Sequence, residues 1–259
     1  MLNAVLAASL AALLVAALGW RRSRLDAARL RRRLETASQQ LQHLQHSFAR
    51  FAPEDLVDRI AATGKPLAAA KRDVTVLFAD LVGFTRLGEA LDPEQLVRVL
   101  NGYFGRMSRV VGDHRGHVAK FIGDGMMALF GSLEPNPWQA NDAVHAALGM
   151  REALAAYDTE LAAEGLPVLR FGVGIHRGSA VAGIVGSKEL LEFTVIGHTV
   201  NMASRVEGLT RIHGVDILVT DEVKAALDPR FVLKQMPAQA VRGVREPVVT
   251  WAVERFEAG

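Results

Sequence analysis

The chain has 259 residues, half of them hydrophobic and 6% aromatic, which suits one medium-sized α/β domain with accessory segments. It has no cysteine, which excludes disulfide scaffolding and thiolate metal sites and is compatible with a reducing cytosolic setting. The formal charge is +2, but residues 21–33, RRSRLDAARLRRR, hold seven Arg against one Asp, so the remainder is net acidic; a nucleic-acid footprint spreads over a folded face, and no nucleic acid is expected as a partner.

Before those arginines, LNAVLAASLAALLVAALGW contains no charged side chain and as a helix spans roughly 28 Å, about the hydrocarbon thickness of a bilayer. Residues 1–20 are therefore expected to form a transmembrane helix. Because the arginines follow it, the positive-inside rule places the rest of the chain in the cytoplasm, as a single-pass protein of the cell membrane. A cleaved signal peptide needs its positive charge before the apolar run. Residues 21–51 read as a basic juxtamembrane and coiled-coil helix: Ala27, Leu30, Leu34, Ala37, Leu41, Leu44, Phe48 and Phe51 alternate at spacings of three and four, with a narrow seam that favours a parallel dimer. His43 and His46 on this helix read as solvated surface. Residues 52–73, with Gly64 and Pro66 and no periodicity, read as a linker.

The domain proper is expected over 74–256. VTVLFAD is a β-branched apolar run ending at Asp80, and DPEQLVRVLNGYFGRMSRVV opens with Asp92 as N-cap and Pro93 at the first helical position. HVAKFIGDGMMALFG follows as a hairpin. A helix over about 138–163 precedes the strands RFGVGIH and AVAGIVG, a helix from near Val200, and short strands to the end. The alternation without a dinucleotide fingerprint suggests an α+β domain, a mixed sheet with helices on one side.

Lys120 and Asp124 stand out in the hairpin, because a buried charge costs several kcal/mol unless it is paired or coordinated. Along an extended strand alternate residues are about 7 Å apart, distant for a direct ion pair, and the turn Gly123-Asp124-Gly125 offers its carboxylate at a tip. Asp80 ends a buried strand and is followed by LVGFT, where Gly83, Phe84 and Thr85 can present backbone N–H groups to phosphate. Two carboxylates at neighbouring strand and turn ends suit a pair of hard divalent cations. In FTVIGHTVNMASR, Asn201 and Arg205 lie four apart on one helical face, an amide and a guanidinium suited to a sugar and a phosphate.

FADLVGFT, KFIGDG and TVIGHTVNMASR, in this order, resemble the catalytic motifs of the class III nucleotidyl cyclases, the adenylate and guanylate cyclases, over roughly residues 52–256. The resemblance implies a ferredoxin-like, palm-type βαββαβ core that works as a homodimer with two active sites across the interface. It implies that Asp80 and Asp124, assisted by the backbone carbonyl of Leu81, bind two Mg²⁺ or Mn²⁺ ions. It places Asn201 at the ribose and Arg205 at the α-phosphate, both lent by the other chain, with Arg242 in AVRGVREPV at the terminal phosphates. Lys120 falls at the purine-selecting position with Thr194 as its companion: a donor for adenine N1 and an acceptor near N6. The implied reaction converts ATP to 3′,5′-cyclic AMP and pyrophosphate, and Thr194 resembles the threonine-type adenylate cyclase subgroup. His198 replaces an aspartate common in the third motif, and Ser179 stands where animal enzymes have a phosphate-binding arginine. The rival expectation is a catalytically silent homology domain that binds nucleotide or dimerises; such versions lose a metal carboxylate or the arginine, whereas Asp80, Asp124, Asn201 and Arg205 are all present. Diguanylate cyclases share related chemistry, but no GGDEF-type turn is present.

Overall fold

The computed structural model describes residues 68–187 and 191–257, together with Trp20 and Thr36. The expected transmembrane helix, coiled coil and most of the linker lie outside these residues; among the described residues no helix is long and apolar enough to cross a membrane. The first strand, β1 (Ala70–Leu81), begins inside the stretch expected to be linker. Its Val74, Val76, Leu77 and Ala79 are buried, and both of its edges are paired, which is why so apolar a run settles at the centre of a sheet.

After β1 come α1 (Phe84–Ala90) and α2 (Pro93–Asp113). Asp92 caps α2 as expected, its carboxylate accepting from the Glu94 and Gln95 amides at 3.0 and 2.9 Å, an arrangement worth about 1 kcal/mol. The hairpin is β2 (His117–Ile122) and β3 (Gly125–Phe130), followed by α3 (Gln139–Ala163) and β4 (Phe171–Gly186). These strands lie in the order β2-β3-β1-β4, all neighbours antiparallel, the arrangement of a β-α-β-β-α-β unit. The sheet continues through β6 (Ile217–Thr220), parallel to β4, then β8 (Thr250–Phe256) and β7 (Phe231–Gln235). A short helix α5 (Asp221–Lys224) follows β6. Strand β5 (Leu191–Ile196) pairs with the outer half of β4 as a two-stranded arm and leads into α4 (His198–His213).

Two expectations need correction. RFGVGIH and AVAGIVG are one strand, since β4 pairs with β1 without interruption from Leu81↔Phe171 to Ala70↔Ala182. Gly178 and Ser179 resemble a turn in sequence, but Gly178 is there to admit a helix: a Cβ on it would lie 2.9 Å from Thr199 Oγ1. The helices also do not share one side. α2 and α3 cover the face carrying Leu77, Met126, Phe130, Val173 and Ile175, while α4 packs with Leu218 and Ala252 on the opposite face.

The second packing depends on β4 offering little side-chain bulk where α4 rests. Gly172, Gly174 and Gly178 lie on that face, with the buried His176 between the last two turned to Thr220, and a Cβ on Gly174 would come within 2.5 Å of Glu207 Cα and 2.7 Å of Ala203 O. The obstacle is backbone, so relief requires moving the helix. Gly174→Ala is therefore expected to destabilise the domain by about 3 kcal/mol, measured by urea unfolding. A loss below about 1 kcal/mol is inconsistent with this close approach.

Candidate active site

Asp80 is the penultimate residue of β1, opposite Gly172 on β4. Asp124 sits in the β2–β3 turn, where Gly123 takes a left-handed conformation (φ 63°) and folds the chain back so that Gly125 re-enters the sheet. Gly125 lies directly under Asp80: a Cβ there would be 2.8 Å from Asp80 Oδ1 and 3.1 Å from Ala79 O. The Leu81 backbone lies close enough to the Asp124 carboxylate to favour its ionised form, tying the two motifs together. Burial, then the negative charge of Asp80, push the Asp124 carboxyl above its ordinary range, while its backbone bonds and Arg211 pull it back.

Two carboxylates thus converge at a half-buried place, and the charge of Asp80 raises the cost of ionising Asp124. A hard divalent cation relieves that repulsion and commonly takes two carboxylates with water and phosphate completing its shell. Among the described residues no group of three or more His, Cys, Asp or Glu is arranged to hold a metal ion, so the donor set here is this pair plus non-protein or backbone oxygens. The residues present fit Mg²⁺ or Mn²⁺.

The sequence does not single out the cation that attends the pair. Arg211 Nη2 donates to Asp80 Oδ2 at 2.5 Å, and its Nη1 lies 3.3 Å from Glu207 Oε1, one turn back on α4. Glu207 is buried, and burial raises its pKa to about 7, with Arg211 opposing and Asp80 and Asp124 reinforcing the shift. A Glu and an Arg four apart on a helix are common surface features, which is why they carry no signal alone; the glycine face of β4 turns them inward.

Lys120 does not pair with Asp124. A bulge between Val118 and Lys120 sets Lys120 opposite Met127, on the sheet face away from α2 and α3, where its Nζ meets Glu192 Oε1 at 2.7 Å. Glu192 is two residues from Thr194 on β5, so both point to the same side of the arm. The structure therefore gathers Lys120 and Thr194 at the β5 arm, with Glu192 as a partner that sequence reading missed.

Asn201 and Arg205 lie on the first half of α4, whose entry is fixed by Thr199 Oγ1 donating to Ser179 O at 2.8 Å. At about 100° per residue, the Asn201–Arg205 face is about 120° around the helix from the Glu207–Arg211 face. Asn201 is exposed, and Arg205 rests against Gly243, which is left-handed (φ 75°) in the tight turn Val241–Val244; a Cβ on Gly243 would be 3.3 Å from Arg205 Nη2. Exposed Arg242 is the neighbour of that glycine. Gly83 is the N-cap of α1 in a left-handed conformation (φ 77°) with no side-chain cap, and Phe84 and Thr85 open the helix.

One half of the expected machinery, Asp80, Leu81 and Asp124, is assembled at the sheet end. The other half, Lys120, Thr194, Asn201, Arg205 and Arg242, follows the arm and the other face of α4. The profile of the adenylate and guanylate cyclase catalytic domain matches residues 67–255. An adenylate cyclase of Anabaena cylindrica is 38% identical over 198 residues, 73% of this chain and 38% of that protein. Adenylate cyclase 1 of Rhizobium meliloti (strain 1021) is 38% identical over 222 residues, 82% of this chain and 33% of that protein. The chain thus spans between 33% and 38% of the length of these relatives. The crystal structure of the guanylyl cyclase Cya2 superposes with a TM-score of 0.69 at 34% identity, covering 74% of this chain and 96% of that one. The chain belongs to the adenylate and guanylate cyclase catalytic domain family, the class III nucleotidyl cyclases.

The charge cluster has a pH signature. Glu207 holds its proton more tightly folded than unfolded, so its contribution to stability is complete below pH about 4.5 and is lost as pH rises through about 7. In metal-free buffer the wild-type protein is expected to lose roughly 2–3 kcal/mol between pH 5 and 8 from this group, and Glu207→Gln to flatten that slope in denaturant titrations. Identical slopes in the two proteins refute the assignment.

Proposed function

We propose that this protein is a membrane-anchored adenylate cyclase that converts ATP to 3′,5′-cyclic AMP and pyrophosphate at two sites shared across a homodimer. The observation that carries the reading is the division of α4: one face serves the protomer's own carboxylates, and the face with Asn201 and Arg205 points elsewhere. A second copy of the chain is the natural recipient. The β4–β5 arm and hairpin add support, since Val181, Val185, Ile196, Phe121 and Ile122 expose apolar side chains that a partner would cover.

In this reading Asp80 and Asp124 of one protomer hold two Mg²⁺ or Mn²⁺ ions with the Leu81 carbonyl, and the bound ions lower the pKa of the ribose 3′-hydroxyl and neutralise triphosphate charge. Asn201 of the partner orients the ribose so that O3′ faces the α-phosphorus in line with the leaving oxygen. O3′ forms the new P–O bond, the α–β bridging P–O bond breaks with its electron pair staying on the departing pyrophosphate, and the hydroxyl proton passes to solvent water. Arg205 stabilises the charge that builds on the α-phosphate. The amides of Gly83, Phe84 and Thr85, together with Arg242, receive the outer phosphates.

Substrate choice rests on Lys120 and Thr194. Lysine donates to the unprotonated N1 of adenine and threonine accepts from N6, whereas guanine presents N1–H to a second donor, a mismatch of a few kcal/mol. The curated relatives above are named adenylate cyclases and the solved structure a guanylyl cyclase, so the base pair of contacts, not the family, decides. Anchoring rests on the uncharged run before Arg21 and the arginines after it, with the catalytic domain on the cytoplasmic side and residues 21–51 pairing the chains.

Purified protein given ATP or GTP with Mg²⁺ or Mn²⁺ is expected to make cyclic AMP and pyrophosphate from ATP. Asp80→Asn, Asp124→Asn and Arg205→Ala should each cut kcat by about 10³-fold. Lys120→Glu combined with Thr194→Cys should abolish the preference for ATP. Nucleotide binding without turnover in the wild-type protein points instead to the silent signalling module, and unchanged selectivity in the double variant rejects the base contacts.

A further inference from the structure

We propose that Arg211 is a built-in counter-ion for Asp80 that a divalent cation must displace, with Glu207 as the acceptor that receives it, so that this arginine sets the affinity of the metal site. The inference rests on the reading of Asp80 and Asp124 as metal ligands.

The two oxygens of Asp80 are in different situations. Oδ1 is turned over Gly125, and Oδ2 is held by Arg211 at 2.5 Å. A cation that draws on both oxygens competes with the guanidinium for Oδ2, and two positive groups on one carboxylate repel each other. The arginine has somewhere to go. Its other nitrogen already lies 3.3 Å from Glu207 Oε1, a loose contact, and that buried oxygen has no hydrogen bond. Movement toward Glu207 would satisfy an acceptor whose desolvation is otherwise uncompensated.

There is also room. The Arg211 side chain is 41% exposed and borders a cavity of about 540 Å³ between α3, the start of β4 and the end of α4, lined by Leu154, Phe171, Thr210 and Val215 among others. Arg151, which also borders it, is fastened to Asp216 by two hydrogen bonds and to the Val253 and Glu254 carbonyls, so it does not compete for Glu207. Arg211 is thus held by two exchangeable contacts, one on the carboxylate the metal needs and one on a carboxylate it does not.

The test uses Mn²⁺ alone, without nucleotide, titrated into the metal-stripped full chain while the free-ion EPR signal is followed. Arg211→Gln is expected to bind Mn²⁺ about five- to tenfold more tightly than wild type, and Arg211→Lys, which keeps a cation, to stay within about twofold. Glu207→Gln, which removes the acceptor, should weaken binding about two- to fivefold, and the same change in the Arg211→Gln background should have no effect. Melting curves in EDTA establish that each variant is folded; if Arg211→Gln is not, the Arg211→Lys and Glu207→Gln results decide. Equal or weaker Mn²⁺ binding in Arg211→Gln, or a Glu207→Gln effect that persists without the arginine, overturns the proposal. Asp124→Asn separates the two levels: if wild type binds Mn²⁺ and this variant binds it equally well, or if wild type binds none, the metal reading itself fails and the counter-ion role falls with it.

Discussion

Asp80 and Asp124 are brought together by backbone, against their own repulsion. Pairing of β1 with β3 and β4 fixes the end of β1, the left-handed Gly123 turns the hairpin back, and Gly125 leaves the space into which Asp80 Oδ1 fits. The resulting negative site is stable because the sheet around it is deeply buried and because one guanidinium, Arg211, is attached to it. Much of the domain serves that juxtaposition: α2 and α3 hold the sheet from one face and α4 supplies the counter-ion from the other.

The same helix performs two unrelated tasks. Its Glu207–Arg211 face lies flat on the glycines of β4 and belongs to the protomer's own carboxylates. Its Asn201–Arg205 face, about a third of a turn away, points away from that pair of carboxylates. Arg205 is nonetheless placed with care, against a glycine whose left-handed turn brings Arg242 beside it. In the proposed shared site, a helix rigidly seated on one protomer's carboxylates and presenting groups to the other would make dimer geometry the variable on which turnover depends.

What the sequence discloses follows from where polar residues interrupt apolar runs. Asp80 and Asp124 are visible because each ends or punctuates an apolar stretch, and Asn201 and Arg205 because they complete a motif of known order. Arg211 and Glu207 are hidden for the opposite reason: they look like an ordinary helical surface pair, and only the three-dimensional meeting of α4 with Gly172 and Gly174 turns them toward Asp80. Those glycines mislead as well. Gly178 in particular suggests a break between RFGVGIH and AVAGIVG, whereas with Gly172 and Gly174 it lets a helix lie on the second face. The partner of Lys120 depends on a bulge that shifts the strand by one residue, which periodicity alone does not report.

The proposed active site joins one chain's carboxylates to another chain's α4. It is tested most directly by mixing Asp80→Asn protein with Arg205→Ala protein, each inactive alone, under conditions that let subunits exchange. Half of the dimers would then be mixed, each with one intact site, so cyclic AMP production should recover to about a quarter of the wild-type rate. Mixtures that remain inactive, although exchange is demonstrated by subunit labelling, contradict a site shared between chains.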